Sequence, residues 1–380
     1  MTPAETLDRI RLARTNGVGP ITYRGLLARY ATAAAAIDAL PGLTARHGGA
    51  ASPPSVPAAQ TIEREMAALA RLGGRMLVLD GPGYPELLAL LDDPPPVVSI
   101  LGDPAVFSAR AVAVVGGRNA SANGRRMAEM LAADLAIAGL TVVSGLARGV
   151  DTAAHIGALH TGKTVAAIAG GLDVPYPPEN AELQARIAAG GAVIAEAPLG
   201  TAPQSRHFPR RNRVIAGLSL GVVVVEAAPR SGSLITARLA QEAGRDLFAV
   251  PGSPLDPRCR GSNDLIRQGA TLTESAADVV DNLTDHPGRA GLSRLPLFKR
   301  DGFEAPDRSW NMPENGLEDM ERARRDIIAL LGPEPTMVDD LIRRCQLSAS
   351  VVMAVLLELE LAGRVETMPG HRVALLASNL

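Results

Sequence analysis

AVAVVGGRN, residues 111–119, is the stretch whose reading decides the fold: five apolar residues without a polar interruption, then two glycines, an arginine and an asparagine. A strand with apolar residues at both alternating sets of positions has no solvated face, so it belongs inside a parallel sheet covered by helices on both sides. The pattern recurs. Apolar runs begin at Leu140 (LTVVS), Thr164 (TVAAIA), Ala192 (AVIAE), Gly221 (GVVVVE) and Asp246 (DLFAV), each 24 to 29 residues after the one before. That spacing holds one helix and two short loops, the repeat of right-handed βαβ crossovers. The expected fold class is α/β, a Rossmann-like parallel sheet.

Outward from the sheet, two smaller domains are expected. Residues 1–58 read as a small helical domain of the SAM or helix-hairpin-helix-like kind, with Leu26, Leu27 and Ile37 as apolar anchors and breaks at Gly17-Val18-Gly19-Pro20 and Pro41-Gly42. The glycine pair either offers N–H groups to a phosphate or simply makes a tight helix connection, the commoner use. Ala45 to Pro57 has linker composition. A helix around Glu63 to Leu72 and a strand at Met76 to Leu79 lead into the Rossmann-like domain, residues 59–282. A charged linker over residues 283–316 precedes a winged helix over residues 317–380: three helical patterns, then an alternating segment, Arg364 to Leu376, broken by Pro369-Gly370.

Composition narrows the classes. The 380 residues are 47% hydrophobic, enough for a sizeable core in two or three domains. No run approaches the roughly 18 apolar residues of a membrane span, and Met1 to Arg14 carries acids among its arginines, so a cytoplasmic protein is expected without membrane attachment. The two cysteines, Cys259 and Cys345, fall in different expected domains, which argues against a disulfide framework or a zinc cluster. The formal net charge is −2. From Ala109 to Ala270, however, 17 basic residues face 12 acidic ones, whereas Leu317 to Leu380 carries 7 arginines against 10 acids. The presumed recognition helix, Ser348 to Ala362, has Glu358 and Glu360 and no basic residue, so it suits protein docking or regulation better than reading a DNA groove.

Ligands of open parallel sheets bind beyond the carboxyl ends of the strands. There the sequence places Gly116-Gly117-Arg118-Asn119, Ser144-Gly145-Leu146-Ala147-Arg148-Gly149, Gly170-Gly171 and Pro229-Arg230-Ser231-Gly232-Ser233. Several glycine loops at helix N-termini, three of them with arginines, point to anion binding through backbone N–H groups; the alternative for any single loop is a tight turn. The strongest charged feature is Arg206-His207-Phe208-Pro209-Arg210-Arg211-Asn212-Arg213, in a stretch without an acid between Glu196 and Glu226. Guanidinium forks suit phosphate, and Phe208 offers a face to an unpaired base, which together suit single-stranded nucleic acid. The alternative buries Phe208 and leaves the arginines on a solvated face.

Enzyme signatures are weaker. Gly157 to Thr164 (GALHTGKT) matches the P-loop spelling, but a P-loop follows a strand and opens a helix, whereas this segment ends a helix and begins a strand. No GxGxxG follows the first strand, and neither HExxH nor GxSxG occurs. Asp151 and His155, four apart, read as a local polar pair. Ser231 and Ser233 read as a helix cap and anion cradle with no base beside them. No catalytic residue, metal or cofactor is expected. The rival class is a nucleotide or phosphoribosyl hydrolase using the same loops.

The motifs VAVVGGRNASANG (112–124), VVSGLARGVDTAAHIGAL (142–159), GGLDVPYPPEN (170–180), FPRRNRVIAGLS (208–219), VVVVEAAPRSGSLITARLAQEAGRDLFAVPG (222–252) and GSNDLIRQGA (261–270) closely resemble the DNA-processing protein A (DprA/Smf) family. The likeness is dense from Gly83 to Ala270 and looser in the flanking domains. It implies a single-stranded DNA-binding recombination mediator that protects incoming strands and loads RecA during natural transformation. It also implies a homodimer formed through the Rossmann-like domain, with no established catalytic activity. Carried over by position, the DNA pocket falls on Gly116 to Arg118, the SGLARG loop and the FPRRNR segment. Two positions depart from the family pattern: Gly117 replaces a serine, with loss of a hydroxyl for phosphate, and Ser262 stands where cysteine or threonine is usual.

Overall fold

The computed structural model describes residues 1–45, 54–285 and 316–376, apart from positions 333, 346, 348, 363, 369 and 370. Most of the two expected linkers, and the Pro369-Gly370 break, lie outside the described residues. The chain forms two compact units, one of the N-terminal helices with the C-terminal domain and one from Arg64 through the large sheet.

At the N-terminus, α1 (Pro3–Ala13), α2 (Pro20–Tyr30) and α3 (Ala33–Ala45) pack around Leu12, Tyr23, Leu26 and Leu40. Thr2 caps α1 by accepting the Glu5 N–H. Between α1 and α2, Gly17 takes φ +81° and Val18 is buried, a packed helix connection. The break expected at Pro41-Gly42 does not occur, because α3 runs through Pro41.

The large unit follows α4 (Ala59–Arg71) with β1 (Gly74–Val78), α5 (Glu86–Ala89) and β2 (Val97–Gly102). The six apolar runs then become β3 (Ala111–Val115), β4 (Thr141–Ser144), β5 (Thr164–Ile168), β6 (Ala192–Ala195), β7 (Gly221–Val224) and β8 (Asp246–Ala249). Helices α6 (Ala122–Ile137), α7 (Val150–Thr161), α8 (Ala181–Gly190), α9 (His207–Gly217) and α10 (Gly232–Glu242) connect them in turn. After β8 come α11 (Arg260–Arg267), the short β9 (Thr271–Leu272) and α12 (Ala276–Asn282). The sheet order is β1-β2-β6-β5-β4-β3-β7-β8-β9, with β6 through β9 parallel and β1-β2 an antiparallel edge. In β3, Ala111, Ala113 and Val115 join the core that contains Leu88, Ile215 and Ala237, while Val112 and Val114 join the core that contains Leu131, Leu135 and Ala154. Both faces are covered, as the uninterrupted apolar run requires. The chain leaves β3 toward β4 on one side, and β7 lies on its other side. The β3–β7 boundary is therefore the topological switch point, where the loops part and leave a crevice.

In the C-terminal domain, α13 (Gly316–Leu330), α14 (Val338–Cys345) and α15 (Ala349–Leu361) pack with a sheet of β10 (Thr336–Met337), β11 (Val365–Met368) and β12 (Arg372–Leu375). The expected recognition helix is α15. Its Leu357 packs against the core of the N-terminal helices and lies 3.7 Å from where a Cβ on Gly25 would stand. Burial pushes the Glu360 carboxyl above its ordinary range.

Candidate nucleic-acid interface

The loops after β3, β4, β5 and β7 meet at the carboxyl edge of the sheet around one stacked pair. The Arg118 guanidinium carbon lies 4.7 Å from the centroid of the Phe208 ring, and Tyr176 leans on that same ring at 5.8 Å between centroids and 57° between planes. This pair is a shared wall of two cavities. One, of about 300 Å³, opens on the β5 side between Arg148, Gly170, Tyr176 and Phe208. The other, of about 570 Å³, lies at the switch point between Gly116, Asn212, Glu226, Arg230 and Ser233. Together they make a two-lobed groove. Among the described residues, Arg118 has the Phe208 stack and no hydrogen-bond partner, which leaves its donors to a ligand.

Gly149 holds the first two loops together. Its φ is +80°, and a Cβ there would collide with the Gly117 carbonyl oxygen and lie 2.6 Å from that of Arg118. The same closeness lets Val150 donate its N–H to the Gly117 carbonyl at 3.3 Å.

The expected sites divide by their surroundings. Gly116, Gly117, Arg118, Gly145, Arg148 and Phe208 line one lobe or both, as do Arg211, Asn212, Ser231, Gly232 and Ser233. Arg148 also pairs with Glu179. Arg211 forms the groove floor and is pinned: its Nη1 donates to the Ala167 carbonyl at 2.8 Å and to the Gly145 carbonyl. Burial lowers its pKa to about 10, with Asp151 acting to raise it and Arg118 to lower it further, so it stays charged at neutral pH. Arg206, His207, Arg210 and Arg213 line neither lobe. Arg210 reaches Glu196 at 3.2 Å; Arg213 is buried, at 2.7 Å from Glu196 and 3.5 Å from Asp93. His207 accepts the Gln204 N–H, and burial first, then Arg206 and Arg210, depress its pKa. Ser144 is interior, its hydroxyl donating to the Val114 carbonyl at 2.7 Å. The phosphate role expected of Arg213 and the backbone approach expected at Ser144 do not fit these positions.

The N–H cradles are also revised. Gly145 and Ala147 donate their N–H groups to Asp151 at 3.2 and 3.3 Å, and Gly117 donates to the Glu226 carbonyl at 2.6 Å. At the start of α6, Glu226 accepts the Ser121 N–H at 2.9 Å and the Ser121 hydroxyl. Internal carboxylates thus take the places beside the first turns of α6 and α7 that an anion would fill. Asp151, buried at 6% exposure, has its carboxyl pushed up by burial, opposed by Arg211 and the loop N–H groups.

Asp151 and His155 do not form the local pair expected of them. The Thr164 hydroxyl donates to the Val142 carbonyl at 2.7 Å, so its contact with His155 Nδ1, also 2.7 Å, requires Nδ1 to carry the proton. Burial, then Arg211, lowers the His155 pKa to about 3, so the ring is neutral. Lys163 of the P-loop spelling lies between α7 and β5, at the amino edge of the sheet, and pairs with Asp103 at 3.3 Å. Glu226, Tyr176 and Arg258 line the groove without having been singled out from sequence. An acid directly after the apolar run of β7, in the loop family already under scrutiny, was the available signal for Glu226.

A doubly wound domain whose switch-point groove carries a stacked arginine and phenylalanine defines a Rossmann-type binder of phosphate-bearing, base-bearing ligands. The family described as DNA recombination-mediator protein A matches residues 75–284, the DprA-like N-terminal HHH domain matches residues 3–68, and the DprA winged helix domain matches residues 312–371. The chain belongs to the DNA recombination-mediator protein A (DprA/Smf) family. It is 38% identical over 318 residues to Protein Smf of Escherichia coli K12, covering 83% of this chain and 81% of that one. The X-ray structure of DNA processing protein A from Streptococcus pneumoniae aligns at TM-score 0.57 and 41% identity over 60% of this chain and 80% of that chain. DNA processing protein A from Helicobacter pylori, whose structure is described as giving a single-stranded DNA binding mode, aligns at TM-score 0.50 and 30% identity, over 55% of this chain and 95% of that one. No described helix is long and apolar enough to cross a membrane.

Proposed function

We propose that the protein binds single-stranded DNA in the two-lobed groove and acts as a recombination mediator that loads RecA on strands entering during natural transformation. The observation that carries this is the Arg118–Phe208 stack on the wall shared by both cavities. A guanidinium beside a half-buried aromatic ring in a cavity wall meets a phosphate and a base at once, and a duplex cannot offer its bases to such a wall. The description of the H. pylori relative supports the choice of strand, and the mediator description of the family supports the role.

The protein works as a homodimer and by binding alone. In support of the latter, the groove's carboxylates are engaged with N–H groups and the neutral His155 is bound to Thr164. Fluorescence anisotropy with single strands of increasing length, duplex and mononucleotide tests the binding. Affinity rises with strand length, and its logarithm falls against the logarithm of salt with a slope of about −0.7 per phosphate contacted. A flat salt response, or equal affinity for a mononucleotide, would return the groove to the nucleotide-hydrolase class. RecA loading is read as earlier onset of RecA's strand-dependent ATP hydrolysis on protein-coated single strands, and the dimer by light scattering.

A further inference from the structure

Most acids at or beside the groove have work in the fold. Asp151 and Glu226 receive loop N–H groups, Glu196 holds the buried Arg213, and Asp256 accepts the Arg258 N–H at 2.9 Å. Glu179 differs. Among the described residues its carboxylate meets the Arg148 guanidinium and, beyond that, only its own N–H. It belongs to a one-turn helix, Pro178–Asn180. Asn180 of that turn is buried, and its Nδ2 donates to the Leu146 carbonyl and to the Thr152 hydroxyl, both at 2.9 Å. Leu146 lies in the loop that carries Arg148, so the fold fixes the backbones on either side of the pair to one another. The side chains themselves stay in water, 65% exposed for Arg148 and 48% for Glu179.

Arg148 lines the lobe on the β5 side. It gives Nε to Glu179, and its Nη groups have no partner among the described residues. A phosphate that takes those Nη donors stands across one guanidinium from a carboxylate. That separation is shorter than the Debye length, about 8 Å at physiological ionic strength, so salt leaves much of the repulsion in place. An ion pair this exposed adds little stability to the fold, and its effect falls on the ligand instead. We infer that Glu179 limits the hold of the β5-side lobe on phosphate and makes that lobe the releasable end of the groove, while Arg118 keeps the strand at the shared wall. The inference rests on the single-strand function proposed above. A protein that passes its strand on must also let go of it, and a fixed acid behind one phosphate contact loosens one end of the groove without weakening the fold.

The test is strand binding by variants of the full chain, read by anisotropy over a range of salt and by a competitor chase. Glu179→Gln keeps the size of the side chain and removes its charge. It binds a single strand about threefold or more tighter than the wild type at low salt, releases it more slowly, and steepens the salt slope by up to about 0.7, the increment of one phosphate. Glu179→Asp, which keeps the charge, stays within about twofold of the wild type. So does Glu242→Gln, which removes an exposed acid paired with Arg238 at the far end of α10. Melting temperatures of all three variants match the wild type. Unchanged or weaker binding by Glu179→Gln overturns the inference, and weaker binding makes Glu179 a residue that orients Arg148 for phosphate. An equal gain in Glu242→Gln also overturns it, because the effect is then one of net charge. Failure of the wild type to bind any strand removes the single-strand function itself, an outcome distinct from these.

Discussion

Four arginines stand within eight residues, and their surroundings sort them into different jobs. Arg118, from another loop, is the one stacked on Phe208; Arg211 is floor; Arg213 is held by Glu196 and Asp93; Arg206 and Arg210 lie outside the cavities. Arg118→Ala is therefore expected to weaken single-strand binding and lower the salt slope with no change in melting. Arg213→Ala is expected to do the reverse. Breaking a buried pair costs about 3–5 kcal/mol, and because both carboxylates keep some exposure here, about 2 kcal/mol is expected in chemical denaturation. Equal effects of the two substitutions on binding would put Arg213 back in the groove. His155 gives a pH signature. Its folded pKa of about 3 is below the ordinary value, so the unfolded chain takes up a proton first. Stability is complete above the unfolded pKa and falls as the pH drops from about 6.5 toward 3, by about 2 kcal/mol at pH 5. His155→Gln should remove most of that acid sensitivity, read as melting temperature against pH.

At the scale of elements, the strands were legible and the use of their loops was not. Each strand buried on both faces spells itself as an apolar run, so β3 to β8 fall where the runs predict them, and β1 lies within two residues of its expected start. β2 was missed because Val97 to Leu101 follows prolines and sits outside the βα period, pairing antiparallel with β6. The glycine loops were found, but glycine is written the same way whether its N–H meets a ligand or the protein's own acid. The acid that serves α6 is 105 residues from Ser121. The aromatic at the FPRRNR segment was legible as a ring at the carboxyl edge of the sheet; its partner Arg118, 90 positions away, was legible only as one more loop arginine. Gly149 tests the junction of these loops. Gly149→Ala meets both a positive φ and two carbonyls, so a loss of about 1–3 kcal/mol is expected along with weaker strand binding. A variant with unchanged affinity would mean the β3 and β4 loops need not touch to bind.

For the molecule as a whole, charge and packing divide the labour between the two units. The sheet unit carries the basic excess and the groove, while the acidic C-terminal domain buries Leu357 of α15 against the N-terminal helices. Leu357→Asp places a charge at that half-buried contact and is expected to cost about 2 kcal/mol in the smaller unit. Calorimetry should show one transition moved down, with single-strand affinity unchanged. A loss of affinity in that variant would tie the small unit to the groove. The stack of Arg118 on Phe208 has a consequence of another kind. A flexible side chain ordered on binding costs about 0.5–1.5 kcal/mol, and a guanidinium already resting on a ring has lost part of that freedom when the chain folds. Removing Phe208 then takes away a platform and also frees Arg118 to move. The two residues behave as one thermodynamic unit, so the double substitution should cost less affinity than the sum of the single ones.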